Sequence, residues 1–547
     1  MTKYFFFLSL GLLAANASVA QPGRTDIKSD TIYVIKDYRP QLADAVKYRT
    51  DAGMPAHDTS KYKPTYNVDP TLMNLPYKPA TLRPVAMSRE NEADTLLNSY
   101  IKAGFGTQWS PLFDAHIANG PNDKLYYAIN AFHHSADGAQ KFKNFADNRL
   151  AATVKFPRKK VAVGLQGGYE SNAVYYYAYD LFDSILNEVQ NAGLKQRYIN
   201  AGGGLVVENS TPNKMGVNYK FHVTDYLFFS SRTLSENTFG IGGGFNKSFL
   251  KEHTVGVDVG VEYISAAFAD STATFFLVPI HPYYEFRKDI YLLRGGFTVV
   301  PADDATGVLF YPDVYAQVNL MDGQLLPFFQ AGGQTVKYLG QGLSRINPWT
   351  NEAAPKVIGK TIDVQGGVKG SFASRWAYAA RLGFRLHDYL PIFRATVNTP
   401  VTQFNVDYAE DVQELNPHAE IGYRFSDKIA VTLQGDYFKY TLDFGDPAYG
   451  YPDWKVTLGG HYNIGDKIIL KADMFGHPAT EQLLDLPVDS VVSVNGWFDA
   501  NVEAIYNYKK NFGAFVSFNN IAAAKNARWF RYDSYGFNFK AGLILKF

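Results

Sequence analysis

Apolar and polar residues alternate one by one over long stretches of this chain. In Val255-Gly256-Val257-Asp258-Val259-Gly260-Val261-Glu262-Tyr263 every odd position is Val or Tyr, and every even one is Gly, Asp or Glu. A strand sends successive side chains to opposite faces, so such a run is a two-faced strand. The same pattern runs through Phe498-Asp499-Ala500-Asn501-Val502-Glu503-Ala504-Ile505-Tyr506-Asn507-Tyr508. Val161, Val163, Leu165 and Tyr169 oppose Gly164, Gln166, Gly168 and Glu170, and Val314, Ala316, Val318 and Leu320 oppose Tyr315, Gln317 and Asn319. The final run, Phe537-Asn538-Phe539-Lys540-Ala541-Gly542-Leu543-Ile544-Leu545-Lys546-Phe547, is apolar and aromatic at odd positions and largely polar at even ones. Helical periodicity is scarce, and the expected class is all-β.

The connections between these runs give a strand count. Short polar turns fall at 120–123, 157–160, 210–214, 248–252, 287–289, 321–323, 371–374, 425–428, 464–467 and 508–511. Longer connections lie between them, at 136–147, 181–195, 341–360, 387–412, 442–451 and 477–494. Ten short turns separate eleven hairpins, which predicts an antiparallel array of about 22 strands. Short turns at one end and long loops at the other fit an outer-membrane barrel, with the short turns periplasmic.

Alternation alone does not say which face meets the solvent. A soluble sandwich buries the apolar face, whereas a barrel in lipid turns it outward and lines its interior with the polar one. Composition and processing favour the barrel. The chain carries 38 Tyr, 40 Phe and 46 Gly but only 19% charged residues. Lys3, the apolar stretch from Tyr4 to Ala15 and the small residues Ser18-Val19-Ala20 read as a secretory signal over 1–20. No later run is long and apolar enough for a membrane-spanning helix. The absence of cysteine excludes a lipobox, disulfides and thiolate chemistry. Removing Lys3 takes the formal charge from +1 to 0, so no nucleic-acid partner is expected.

Residues 21–96 differ from the rest of the chain. Pro22, Pro40, Pro55, Pro64, Pro70, Pro76, Pro79 and Pro84 make poor sheet material. This segment is expected to be extended and periplasmic or lumenal, with one short strand at 31–36, and the barrel is expected over 97–547. The final strand with its terminal Phe547 is similar to the closing strand of outer-membrane barrels, where that ending resembles the signal read by the barrel assembly machinery. About 22 strands behind an exported N-terminal segment resemble a TonB-dependent receptor. That resemblance implies uptake of a small-molecule or oligomeric solute across the outer-membrane lipid, with no cofactor. Asp30, Thr31, Ile32, Tyr33 and Val34 are similar to the segment that pairs with TonB by strand addition; the alternative is an ordinary strand packed on the periplasmic rim. The chain departs from the family in one respect: residues 21–96 are too few and too proline-rich for a complete plug. A competing reading makes the protein a structural or assembly subunit whose N-terminal segment docks a partner.

Candidate chemistry is sparse. The eleven histidines show no HExxH spacing, and His133-His134, adjacent on a strand, point to opposite faces. Gly202-Gly203-Gly204 and Gly242-Gly243-Gly244 lie in strand patterns rather than before helices, so they read as sheet positions and not phosphate loops. No GxSxG is present, no metal site is expected and no enzyme activity is expected. The site candidates are the charges on the inward rows: Asp258, Glu262, Asp436, Lys471, Asp473 and Glu503. Inward positions of any such barrel are polar, so each is equally well read as a solvated or paired lumenal charge.

Overall fold

The computed structural model describes residues 99–547, apart from short stretches of the connections (120–123, 141, 179–193, 212–214, 269–270, 304–306, 354–356, 374, 398–400, 443–444, 466 and 487–489). The expected signal, the strand at 31–36 and the run Asp30–Val34 lie outside the described residues. The described chain is a closed antiparallel barrel of 22 staves. In chain order these are β1 (Tyr100–Gly106), β2 (Leu112–Ala118), β3 (Tyr126–Asp137), β4 (Asn144–Pro157), β5 (Val161–Tyr175), β6 (Lys195–Asn209), β7 (Val217–Ser230) and β8 (Ser235–Phe249). Next come β9 (His253–Phe268), β10 (Ser271–Leu277 continued by Ile280–Lys288), β11 (Tyr291–Pro301), β12 (Val308–Val318), β13 (Leu326–Tyr338), β14 (Val357–Phe372) and β15 (Trp376–Thr396). The last are β16 (Phe404–Ser426), β17 (Ile429–Tyr437 continued by Lys439–Thr441), β18 (Trp454–Ile464), β19 (Ile468–His477), β20 (Trp497–Lys509), β21 (Phe512–Asn519) and β22 (Asn538–Lys546). Each stave pairs with its sequence neighbour, and β22 returns to β1 from Tyr100↔Lys546 to Gly106↔Lys540. Closure leaves no lipid-exposed sheet edge, which is the condition for spanning a bilayer with strands.

Each of the ten expected short turns falls at a hairpin connection on one end of the barrel. The same end holds the join of Ser99 to Phe547, whose backbones exchange hydrogen bonds of 3.0 and 2.9 Å. The orientation of the two faces is the one a lipid environment requires. Val255, Val259 and Tyr263 are 49%, 45% and 44% exposed, while Asp258 and Glu262 between them turn inward to His281 and Lys337. On β22 the outward row is Phe539, Ala541, Leu543 and Leu545, continued by an exposed Phe547. Near the short-turn end Phe372, Trp376, Tyr423 and Phe425 stack in succession at 5.7, 4.3 and 4.4 Å, a piece of the aromatic row found at membrane interfaces.

One expected loop is strand for most of its length. The stretch 387–412 belongs largely to β15 and β16, which run as a paired hairpin up to Ala395↔Phe404. A membrane crossing needs only about 9–11 residues, so this hairpin projects well beyond the bilayer. Pro391 lies within this stretch without ending the strand. It sits opposite Tyr408, above His387, where the pairing of β15 with β14 has already ended. Proline is tolerated on such a free edge. The projecting hairpin packs Leu390, Ile392 and Val412 against Leu442 and Leu483, and its tip pairs in parallel with Thr480–Asp485 from a loop hairpin.

Candidate functional site

The long connections fold over the mouth opposite the short turns. Tyr176, Tyr177, Leu194, Leu343, Phe393, Phe404, Trp529 and Tyr532 form one buried cluster contributed by three separate connections and the β15–β16 tip. The Trp349 and Tyr532 rings stack with centroids 3.9 Å apart. Their polar atoms are satisfied across the loops: Tyr532 donates to the Thr402 carbonyl at 2.6 Å, Tyr177 to the Asp533 carbonyl at 2.8 Å and Trp349 Nε1 to the Tyr175 carbonyl at 3.0 Å. Apolar burial in one cluster, with the Tyr177, Trp349 and Tyr532 heteroatoms bonded across the loops, makes a packed roof rather than a set of free loops.

A short helix, α1 (Gly340–Ile346), carries the inner surface of that roof. Two carboxylates hold it. Glu236, at the start of β8, accepts from the backbone N–H groups of Gly340 and of Gln341, the latter at 3.2 Å. These are first-turn donors with no partner inside the helix. Glu352, beyond α1, accepts from Thr233 N at 2.9 Å, Thr233 Oγ1 at 2.7 Å and Gln196 Nε2 at 2.6 Å. Burial opposes ionisation of Glu352, but the donors Ser230, Thr233 and Gln196 outweigh it and hold its carboxyl below the ordinary value. A depressed folded-state pKa means the latch is at full strength above the ordinary carboxylate range. It is lost as pH falls through the folded value. Hydrogen-exchange protection over 340–346, taken relative to intrinsic exchange at each pH, is therefore expected to fall in acid in the native protein. In Glu352→Gln the protection should be lower at neutral pH and lose this dependence. Equal pH profiles in the two proteins would remove Glu352 as the latch.

Beneath α1 the described residues line an open-sided chamber of about 880 Å³, within the range of small-ligand sites. Gly168 and Gly202 face each other in the β5–β6 register and leave that part of the wall without side chains. Arg149, Lys337, Arg345 and Arg385 share the lining with Glu170, Glu236, Glu262, Asp313 and Asp363. Most are paired: Arg345 with Glu170 at 3.4 Å, Lys337 with Glu262, Arg385 with Asp363 at 2.5 Å, and His281 with Asp313 at 2.9 Å. The mutual pairing leaves no dominant sign of charge, so selection here falls to hydrogen bonds and shape.

All six sequence candidates lie on inward rows, but only Glu262 lines the chamber. Asp258 bonds His281 at 3.2 Å, and Asp436 bonds His418 at 2.9 Å. Glu503 pairs with Lys102, Asp473 accepts from Asn501 at 2.8 Å, and Lys471 stands opposite Glu503 in the β19–β20 register. Arg345 and Lys337 escape a sequence reading because they flank a segment with the pattern of a loop. Arg385 and Asp363 lie on recognisable strands and differ in no local way from other inward charges. His133 contacts Asn148 and His134 contacts Lys540, on opposite faces. Among the described residues no three His, Asp or Glu side chains gather as metal ligands.

No protein-family model matches the chain, and no curated protein sequence matches it. Solved structures do. The chain superposes on the pyoverdine outer membrane receptor FpvA from Pseudomonas aeruginosa bound to pyoverdine, with a TM-score of 0.61 at 11% identity, covering 82% of this chain and 78% of that one. The FrpB iron transporter from Neisseria meningitidis gives 0.64 at 9% identity over 82% and 81%. The ferric-catecholate import receptor Fiu from E. coli gives 0.60 at 10% identity over 82% of each chain. The shared property is the fold: an even-numbered, closed antiparallel barrel with an apolar outer band, the architecture of the outer membrane. The three neighbours are named as receptors and transporters, not enzymes.

Proposed function

We propose that this protein is a TonB-dependent receptor-like barrel that moves a solute across the outer membrane, with the roofed chamber as the solute site. The observation that carries the reading is the chamber itself: a cavity of mixed polar and apolar lining inside a 22-stave lumen, beneath loops packed as a unit. A barrel of this width is too large for its own side chains to fill, and barrels of comparable strand number have a plugged lumen. In this reading residues 21–96 regulate the lumen from the periplasmic side, and Asp30, Thr31, Ile32, Tyr33 and Val34 engage TonB by strand addition.

The test is a deletion of 24–90 behind an intact signal, reconstituted in planar bilayers. Conductance is expected to rise above that of the full chain, because a wide lumen loses its obstruction. Unchanged conductance, with a co-purifying partner lost, would replace this reading with that of a docking subunit.

A further inference from the structure

Above the chamber, on staves that it shares, lies a second cavity of about 350 Å³. Its wall comes from the outer ends of β4 to β7. Phe145 is the second residue of β4, Val174 the last but one of β5, Tyr198 the fourth of β6 and Phe228 the third from the end of β7. The register stacks the two cavities in inward rows. Asp147, Asn172 and Tyr198 form the upper row, Arg149, Glu170 and Asn200 the middle one, and Ala151, Gly168 and Gly202 the lower one. The upper row lines the second cavity and the lower row lines the chamber.

A bar crosses between them at the middle row. Arg345, in the last turn of α1, reaches the wall and pairs with Glu170 at 3.4 Å. Both residues line both cavities, as do Asn200 and Gln341. The helix itself is fixed. Leu343 is buried in the roof cluster, Glu236 holds the first turn, and Tyr198 donates to the Pro348 carbonyl just beyond the helix at 2.9 Å. The wall is fixed as well: Glu170 accepts from Asn172 at 3.2 Å, and Arg149 donates to both oxygens of Asp147, at 3.2 and 2.5 Å. The movable member is the Arg345 side chain. Arg345 is 50% and Glu170 30% exposed, and an exposed pair of this length is weak. Exposed side chains change rotamer far faster than a packed helix shifts, so the bar can swing aside with the backbone in place.

We propose that the solute enters the chamber from above along the β4–β7 wall, through a waist that Arg345 closes on Glu170. The inference rests on the chamber being a solute site and adds the route and the residue that controls it. The wall suits a polar traveller. Above the waist it offers Asp147 and Asn172, and below it Gly168 and Gly202 present backbone alone. At the waist Asn200 Oδ1 is buried with no hydrogen-bond partner among the described residues. A hydroxyl or ammonium group arriving there gains a bond that the closed waist leaves unmade. An acceptor on the same solute competes with Glu170 for the Arg345 guanidinium and so draws the bar open.

The test is thiol labelling of the full chain on porin-deficient cells, with a neutral, membrane-impermeant maleimide glycoside added from outside. The chain has no cysteine, so single reporters are clean. Ala151→Cys reports the chamber one inward row below the waist, and Val174→Cys reports the upper cavity. Arg345→Ala should speed labelling of Ala151→Cys about fivefold, the closing weight an exposed ion pair can supply, and leave Val174→Cys unchanged. Glu170→Arg should speed it likewise. Joining Glu170→Arg to Arg345→Glu should return the parent rate, because the pair is restored with its charges exchanged. Equal acceleration at both reporters would mean a loosened roof, and chamber labelling indifferent to Arg345 would mean another way in. Either overturns the waist while the solute site stands, as does a labelled Ala151→Cys beside an unlabelled Val174→Cys. Opening in both single variants without recovery in the exchanged pair would overturn Glu170 as the partner that closes the waist. Val174→Cys labelled with Ala151→Cys silent in every background would remove the solute site as well.

Discussion

Gly542→Val is expected to abolish the folded barrel. Gly542 sits on β22 at the closure, opposite Gly104 of β1 and Phe515 of β21. Its Cβ would lie 2.1 Å from the Ala103 carbonyl oxygen, 2.5 Å from Gly104 Cα and 2.6 Å from the Phe515 ring. The ring edge could swing away, but the two backbone atoms belong to the ladder that closes the barrel. Overpacking in a core commonly costs about 1–3 kcal/mol, and here the only relief is to part β1 from β22. An open edge at membrane depth leaves unpaired backbone groups in lipid, at several kcal/mol each. The expected result is loss of heat-modifiable gel mobility and of protein from the outer-membrane fraction. Adding Phe515→Ala should not rescue it, because the Ala103 carbonyl remains. Gly295→Ala, where nothing lies within 4 Å of the added Cβ, is the matched control and should assemble normally. Wild-type levels of heat-modifiable Gly542→Val would show that the seam tolerates a side chain and that this account of closure is wrong.

The closure seam also shows what the sequence could and could not say. Alternation in Phe537–Phe547 marks the strand and its outward row, and the spacing of short turns counts the staves, because both are local properties of a chain with period two. The same locality explains the error at 387–412. Whether a run such as 387–412 continues a strand past the membrane depends on the partner strand, and here β16 pairs with it up to Ala395↔Phe404. The chamber was illegible for a different reason. Its pairs join residues far apart in the chain: Lys337 with Glu262, Arg345 with Glu170, Gln341 with Glu236, Gln196 with Glu352. No spacing rule links such positions, and the sequence presents each as one more inward charge. Glu262 is one of six inward charges that stand on equal terms in the sequence, and nothing in its alternating run separates it from Asp258, which does not line the chamber.

Arg385→Leu is expected to be the most damaging single change on the lumenal wall. Arg385 on β15 lies between two carboxylates, with Asp363 at 2.5 Å on β14 and Glu414 at 3.0 Å on β16. Glu414 is 4% exposed and also meets His387 at 2.9 Å. Removing the guanidinium leaves two anions facing each other across three staves with water largely excluded from one of them. Breaking a buried pair typically costs about 3–5 kcal/mol, chiefly from the charge left uncompensated. The lower end, about 3 kcal/mol, is expected here, because Arg385 and Asp363 keep some solvent contact. The unfolding midpoint of the purified barrel in guanidinium should fall accordingly, with the barrel still able to assemble. Arg385→Lys should recover only part of the loss, since one ammonium cannot replace a planar fork that serves two carboxylates on different strands. The triple variant Arg385→Leu, Asp363→Asn, Glu414→Gln removes the stranded charges along with the cation and should restore most of the stability. Failure of that rescue, with the midpoint as low as in the single variant, would mean that Arg385 acts through its packing rather than its charge. The wall of the chamber would then be held by shape, and its balance of charge would be free to vary with the solute.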